Sequence, residues 1–458
     1  MANSLFRKAD VEAIEGKIKE IIDFAQKKKL VTLEPNYKEY LAVNSIVTDY
    51  IKKNQRIVYG GIALNEYIKE KSPKDVIYKD IGKNDIEIYS PDPVLDVKSM
   101  CDILYKQKYK YIEGKEADHP GTFTIFVNFD KYCDITYVPK LVYHNLPFIK
   151  VNGFRLIHPS IILTDTLRVY TDPLTSYYRL DKTFDRTNKL LKVAKFEPKK
   201  GVIKEDTTYT YIINALVPKI ANIKTLIFVD DTAYNYYMEQ VSSKKLKESH
   251  IGLSFQDFQN NAQKIYNALL DIIAEKDKDF RQNLKVDEYN IFFQFWERRI
   301  VISYKKTPIV TMYQNKEKCY QFREIERYNT KINVANFTLV LLYYLIQYQY
   351  NGIFRLETKE LEYRLGNLLD AKNTYLTKHD KTVLDDTPFQ EFQIECLGET
   401  IDFQRKNRLK LTKRRELNKN IVYRYQPDEE KNSLTEEYSF PNEAGTLIMN
   451  DKLKFIKL

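Results

Sequence analysis

The stretch VYGGIALNEY, Val58–Tyr67, sets two of the chain's 13 glycines side by side in a sequence of 458 residues. QRIVYGG reads as a short β-strand closing on the doublet, and IALNEYIKEK as the helix that follows. Glycine takes backbone angles that other residues avoid, so the pair suits a tight strand-to-helix turn. It also lets the backbone come very close to a partner such as a phosphate, which the first amides of a helix attract. Gly60 and Gly61 fit either reading until other residues join them.

Around this stretch the apolar spacing alternates between helix and strand. Val11, Ile14, Ile18, Ile21, Ile22 and Phe24 predict a helix over Asp10–Lys29, and a second helix is expected over Tyr37–Lys53. DIEIYS, FTIFVNF (Phe123–Phe129) and CDITYVP (Cys133–Pro139) read as strands, with a helix over Asp96–Gln107. From His158 to Lys192 the pattern turns helical, broken at TDP. Strands and helices in this mixed order predict an α+β domain with its sheet covered on one side.

KFEPKKGVIKED, Lys195–Asp206, is rich in lysine and carries Pro198 and Gly201, so a domain boundary is expected there. Beyond it the sequence repeats. FVDDTAYNYYM (Phe228–Met238) matches the opening stretch, Ala63, Asn65 and Tyr67 falling on Ala233, Asn235 and Tyr237 at a constant offset of 170. NIFFQFWERRIVISYKKTP (Asn290–Pro308) is similar in order to TFTIFVNFDKYCDITYVPK, which supports an internal duplication. In the second copy the glycines have become Asp230 and Asp231, and RIVIS stands for the strand around Asp134. That copy is expected to bind neither nucleotide nor catalytic metal.

Acids are common here, 63 Asp and Glu in all, so a lone Asp-x-Glu carries little information. Context adds to it. Asp85 and Glu87 flank Ile86 and precede Ile88, so on a strand both carboxylates project from one face and the isoleucines from the other. Asp134 stands in CDITYV, again an acid among apolar strand residues. Salt bridges to nearby lysines on an open sheet face explain any one of them equally well. Three carboxylates on neighbouring strands have a chemical use, however. They repel unless cations neutralise them, and hard divalent ions such as Mg²⁺ bind carboxylate and triphosphate oxygens together. Two such ions can activate an attacking hydroxyl and stabilise a departing pyrophosphate.

The order apolar-Gly-Gly, Asp-x-Glu and a later strand aspartate resembles the nucleotidyltransferase superfamily typified by DNA polymerase β. VYGGIALNEYI, DIEIYSPDP, YCDITYVP and LIHPSIILTDTLRVYTDPLTSYYRLDKTFDR are similar to the poly(A) polymerase catalytic subunits of large cytoplasmic DNA viruses, the giant-virus (mimivirus-like) group in particular. The likeness is dense over Ile57–Arg186. It implies a catalytic domain over 1–200, a degenerate nucleotidyltransferase-like domain over 201–399 and a basic C-terminal extension over 400–458. It further implies Asp85, Glu87 and Asp134 as catalytic metal ligands, Gly60 and Gly61 as the phosphate-contacting turn, and two Mg²⁺ or Mn²⁺ ions with ATP as substrate. The implied reaction is transfer of AMP from ATP to an RNA 3′-hydroxyl. A different RNA nucleotidyl transfer, such as uridylyl addition, and a non-catalytic RNA-binding scaffold are the alternatives. A homodimer and a place in the host cytoplasm or viral factory, with packaging in the virion, are also implied. Two departures stand out: Glu87 holds a place where aspartate is commoner, and KEKSPKDVIYKDIGKN lengthens the path from Gly61 to Asp85.

Arg179, Lys182 and Arg186 recur at helical steps, which the resemblance connects with the triphosphate for the first two and the primer backbone for the third; a solvated basic helix face is the alternative. RKNRLKLTKRR carries Arg405, Lys406, Arg408, Lys413, Arg414 and Arg415 and no acid. An RNA-contacting strip and a solvated surface are both open to it. The net charge of +10 suits a polyanionic partner. The four cysteines, Cys101, Cys133, Cys319 and Cys396, are scattered with no Cys-x-x-Cys, so neither a zinc site nor a disulfide framework is expected and a reducing compartment is. Phe337–Tyr348 is the most apolar stretch, too short to span a bilayer, and reads as a buried helix; no membrane association is expected.

Overall fold

Strand β1 (Ile57–Tyr59) buries Ile57 and Val58 and runs into Gly60, where φ is +68°. That left-handed angle, which costs a residue with a side chain energy, turns the chain directly into the Gly60–Lys71 helix. The computed structural model describes residues 5–32, 37–78, 85–119, 121–193, 208–241, 246–350, 356–393, 395–430, 432–436, 438–440, 445–448, 453 and 455–457. The expected boundary at Lys195–Asp206 and the Lys79–Asn84 part of the insertion lie outside them.

The chain divides into two compact units. The first comprises Met1–Tyr137, Phe148–Leu156 and Asn420–Tyr438. Besides β1 it is built on β2 (Ile86–Ser90), β3 (Glu113–Glu116), β4 (Thr122–Val127), β5 (Asp130–Tyr137), β6 (Phe148–Val151), β7 (Phe154–Ile157) and β16 (Arg424–Tyr425), in the order β16-β3-β4-β5-β2-β1-β7-β6. The helix expected over Asp96–Gln107 runs from Pro93 to Lys106, starting three residues earlier. Asp92 caps it, its carboxylate accepting from the Leu95 amide at 3.3 Å, and Pro93 fills the first turn, where no amide partner is missed. Asp96 on this helix is fully buried. It meets the Arg56 guanidinium at 2.8 Å and accepts from Tyr50 Oη at 2.7 Å, which makes it a structural acid.

The second unit comprises Val138–Pro147, Ile157–Lys419 and Ser439–Leu458. Its sheet contains β8 (Ile227–Phe228), β9 (Ile251–Phe255), β10 (Leu284–Tyr289), β11 (Arg299–Tyr304), β12 (Thr307–Gln314), β13 (Tyr320–Arg327), β14 (Thr330–Ala335), β15 (Cys396–Leu397) and β17 (Leu447–Ile448), in the order β15-β13-β14-β8-β9-β12-β11-β10-β17. The Phe337–Gln349 helix is apolar all round and buried from Phe337 to Gln347, as its composition requires. Helices over Pro159–Tyr170, Pro173–Ser176 and Leu180–Val193 belong to this unit, while Asn420–Tyr438 returns to the first. The compact units therefore cut across the linear segments 1–200, 201–399 and 400–458.

Read from the other end, the second sheet repeats the first. The strands β17-β10-β11-β12-β9-β8-β14-β13 correspond in order to β16-β3-β4-β5-β2-β1-β7-β6. The senses agree too: β1 with β2 and β8 with β9 are antiparallel, and β2 with β5 and β9 with β12 are parallel. RIVIS therefore lies on β11, the counterpart of β4, and not on the counterpart of the Asp134 strand. Glu87 pairs with Asp134 across β2 and β5 as Gly252 pairs with Thr311 across β9 and β12, so Thr311 takes the place of Asp134. The register assigned from the second similarity is corrected accordingly.

The cysteines require a second correction. Cys319 and Cys396 form a disulfide, with Cα atoms 5.2 Å apart and a sequence separation of 77. Pairing of β13 with β15, Tyr320 opposite Leu397 and Gln321 opposite Cys396, brings them together, a long-range contact that spacing does not reveal. Cys101 and Cys133 are buried free thiols.

Candidate active site

Five of the predicted residues come together in the first unit. Gly60 and Gly61 open the helix after β1, Asp85 immediately precedes β2, Glu87 lies on β2 and Asp134 on β5. Tyr59 is opposite Glu87, and Glu87 is opposite Asp134, so these side chains share one face of the sheet. Asp85, two residues before Glu87, shares it as well. Thr124 on β4 continues the row opposite Asp134 and donates its hydroxyl to Asp134 Oδ1 at 2.6 Å. The Gly61 amide donates to Glu87 Oε2 at 3.2 Å. Tyr59 reaches the next row, stacking on Tyr89 with ring centroids 3.9 Å apart and bringing its Oη within 2.7 Å of Thr136 Oγ1.

The glycines serve the acids first. A Cβ on Gly60 would stand 1.9 Å from Glu87 Oε2, so the space left by the missing side chain is filled by that carboxylate.

Lys131 gave no signal in the sequence. Its ammonium lies 2.7 Å from Asp134 Oδ2 and 3.0 Å from Asp85 Oδ2, joining the two acids through one cation. Residues three apart on a regular strand face opposite ways. Here Ile125 is opposite Cys133 and Phe126 opposite Lys131, so Tyr132 is an extra residue, a bulge that turns Lys131 to the acid side. Burial draws the lysine's pKa down, but the hydrogen bond and charge of Asp134, then those of Asp85, outweigh it and hold the group above its ordinary value. A set of hard carboxylate oxygens already gathered around one cation fits a divalent ion.

The basic candidates belong to the second unit. Arg179 ends the Tyr177–Arg179 turn with its guanidinium 5.5 Å from the Tyr178 ring, and Lys182 and Arg186 follow on the Leu180–Val193 helix, all in the second unit. Arg405, Lys406, Arg408, Lys413, Arg414 and Arg415 lie on the Phe403–Glu416 helix of that unit, capped by Asp402, which accepts from the Arg405 amide at 3.0 Å. Lys406 pairs with Glu317 at 2.5 Å.

The equivalent place in the second unit has been rebuilt. By strand register His250 takes the place of Asp85, Gly252 that of Glu87 and Thr311 that of Asp134, while Asp230 and Asp231 take those of Gly60 and Gly61. Glycine and acid have exchanged strands: a Cβ on Gly252 would meet Asp230 Cβ at 2.5 Å. Asp230, Asp231 and His250 are all buried, with ligand atoms close enough to hold a metal ion, a grouping not foreseen because His250 gave no sequence signal. His250 Nε2 lies 2.9 Å from Thr311 Oγ1, and Nδ1 lies 3.4 Å from Asp230 Oδ2. The buried Arg364 guanidinium binds Asp231 and reaches Glu360 at 2.7 Å, so a cation of the protein's own is already present.

Residues 45–176 match the family described as poly(A) polymerase catalytic subunit, and residues 220–458 match the C-terminal part of the mimivirus (APMV) catalytic subunit family. A protein of Acanthamoeba polyphaga mimivirus, described as a poly(A) polymerase catalytic subunit, is 32% identical over 495 aligned residues, covering 98% of this chain and 84% of that protein. A protein of the same description from African swine fever virus (strain Badajoz 1971 Vero-adapted) is 29% identical over 127 residues, 28% of this chain and 26% of that one. The crystal structure of the Megavirus polyadenylate synthase superposes with a TM-score of 0.86 at 30% identity, covering 98% of this chain and 93% of that one.

Proposed function

The chain belongs to the poly(A) polymerase catalytic subunit family, and from that premise we propose that it adds AMP from ATP to the 3′-hydroxyl of mRNA without a template, releasing pyrophosphate. The observation that carries this reading is the row Glu87–Asp134, with Asp85 beside it and one cation joining Asp85 to Asp134. Asp85, Glu87 and Asp134 would hold two Mg²⁺ or Mn²⁺ ions, which when bound acidify the attacking hydroxyl and offset charge on the departing pyrophosphate.

The protein's own groups fix the geometry. Thr124 orients Asp134 toward the face where the 3′-oxygen would lie, and the Gly61 amide orients Glu87. The start of the Gly60–Lys71 helix puts positive backbone charge beside the acids, which favours the triphosphate. Arg179 and Lys182 are proposed for the nucleotide, and Arg186 with the Phe403–Glu416 helix for RNA. Self-association as a homodimer and action in the cytoplasm of the infected cell, with packaging in the virion, complete the proposal. Among the described residues no helix is long and apolar enough to cross a membrane.

Purified protein with a short RNA primer, Mg²⁺ or Mn²⁺ and each NTP in turn tests this on a gel. Extension with ATP is expected, at a rate well above that with UTP. No extension with any nucleotide, or preference for UTP, would overturn it.

A further inference from the structure

We propose that Lys131 is the resident counter-ion of the acid site, held by Asp85 and Asp134 while no divalent ion is present and passed to the incoming triphosphate when the ions enter. This rests on the reading of Asp85, Glu87 and Asp134 as metal ligands.

Three observations carry it. The ammonium sits on one oxygen of each acid, at 2.7 and 3.0 Å, so lysine and a divalent ion compete for the same atoms. The bulge at Tyr132 is what aims it there, since without the extra residue Lys131 would face away from Asp134. The third is an internal control in the second unit. Its β11–β12 hairpin keeps the bulge: Ile302 is opposite Val310 and Ser303 opposite Pro308, with Ile309 the extra residue. Pro308 therefore stands where Lys131 does, and the acids it would have served are replaced by His250 and Thr311. The hairpin can form its bulge without the lysine, and the lysine is absent where Asp85 and Asp134 have no counterparts.

The consequence is a coupling. Ion binding alone must displace an ammonium from two carboxylates and leave it without an anion. Ion binding together with a triphosphate gives that ammonium new oxygens, so each ligand favours the other by the same factor. The charge that steadies the ion-free acids thereby opposes a metal without nucleotide and supports one that arrives with it.

Mn²⁺ titrations followed by electron paramagnetic resonance, with and without a non-hydrolysable ATP analogue and corrected for Mn²⁺ held by free analogue, test this. The full-length parent is compared with Lys131→Met, Lys131→Arg and Asp134→Asn. Removing one positive charge from contact distance should tighten Mn²⁺ binding without nucleotide by about fivefold or more, and most of the enhancement by the analogue should disappear. Lys131→Arg should behave as the parent. Equal or weaker Mn²⁺ binding by a folded Lys131→Met protein would overturn the inference. Asp134→Asn separates the two claims. If it abolishes Mn²⁺ binding while Lys131→Met changes nothing, only the lysine's role fails; if it leaves Mn²⁺ binding intact, the metal-site reading itself fails.

Discussion

Gly60 and Glu87 occupy a single volume between them: the Cβ that Gly60 lacks would lie 1.9 Å from Glu87 Oε2, and the next amide, Gly61, donates to that same oxygen. The doublet thus shapes the acid site through its neighbour on β2 before any phosphate is considered. Gly60→Ala should strain a backbone at φ +68° and push the Glu87 carboxylate aside. Tailing should fall sharply in a folded protein. In a double-mutant cycle Gly60→Ala should cost little more once Glu87→Gln is present. Additive losses would mean that Gly60 acts independently of Glu87.

Neutralising either aspartate should remove tailing without unfolding the protein. Asp85→Asn and Asp134→Asn each withdraw a ligand and give up an ion pair with Lys131 while easing repulsion among the acids, two opposed effects that should leave the thermal midpoint within a few degrees of the parent. Thr124→Val, which removes only the hydrogen bond that aims Asp134, should cost roughly 10- to 100-fold in rate. Circular dichroism beside a primer-extension assay reads both. Near-normal tailing by folded Asp134→Asn would exclude that residue.

These elements were legible in the sequence for a common reason. The glycine doublet, Asp85-x-Glu87 and the CDITYV strand are local patterns, and alternation along a strand fixes which side chains share a face. Lys131 was not legible, because only a bulge puts it on the face of Asp134. Thr311 was missed because weak similarity between two hairpins does not fix register, and hydrogen bonding between β9 and β12 does. The Cys319–Cys396 bond and the return of Asn420–Tyr438 to the first unit join segments far apart in the chain.

Stability should depend on pH through Glu391. Desolvation pushes this carboxyl up from its ordinary value of 4.5 to about 7, outweighing the hydrogen bond from Thr338 Oγ1. The folded protein therefore keeps a proton that the unfolded chain loses above about 4.5. This group's contribution is greatest below that pH and declines as pH rises to about 7. Glu391→Gln keeps an acceptor for Thr338 and cannot ionise. Its thermal midpoint should gain on the parent between pH 5 and pH 8, by an amount on the order of a few degrees. A constant difference across that range would contradict the assignment.

Loss of the Cys319–Cys396 bond should be costly. Opening a loop of this length releases chain entropy worth about 4.5 kcal/mol at most in the unfolded state. Dithiothreitol should lower the midpoint of the parent, and Cys396→Ser should lower it similarly while becoming insensitive to reductant. Equal midpoints with and without reductant would show that the bond contributes nothing to stability.

Charge reversal on the Phe403–Glu416 helix tests the proposed RNA surface. Arg405→Glu with Arg408→Glu should weaken binding of single-stranded RNA and flatten its salt dependence, by about 0.7 in log–log slope for each phosphate no longer neutralised. Activity on a short primer should change less than affinity for a long one. An unchanged salt slope would remove this helix from the RNA path.

Asn65 is buried in the Gly60–Lys71 helix, and its side-chain oxygen accepts from the amides of both Ile77 and Tyr78 at 2.9 Å. Asn235 holds the Leu246 amide in the same manner at 2.7 Å. This shared clamp anchors the returning chain to the helix partway between the glycines and the acids. A change in chain length between this clamp and Asp85 should therefore leave the turn at Gly60 in place, because the pull of the altered segment ends at Asn65.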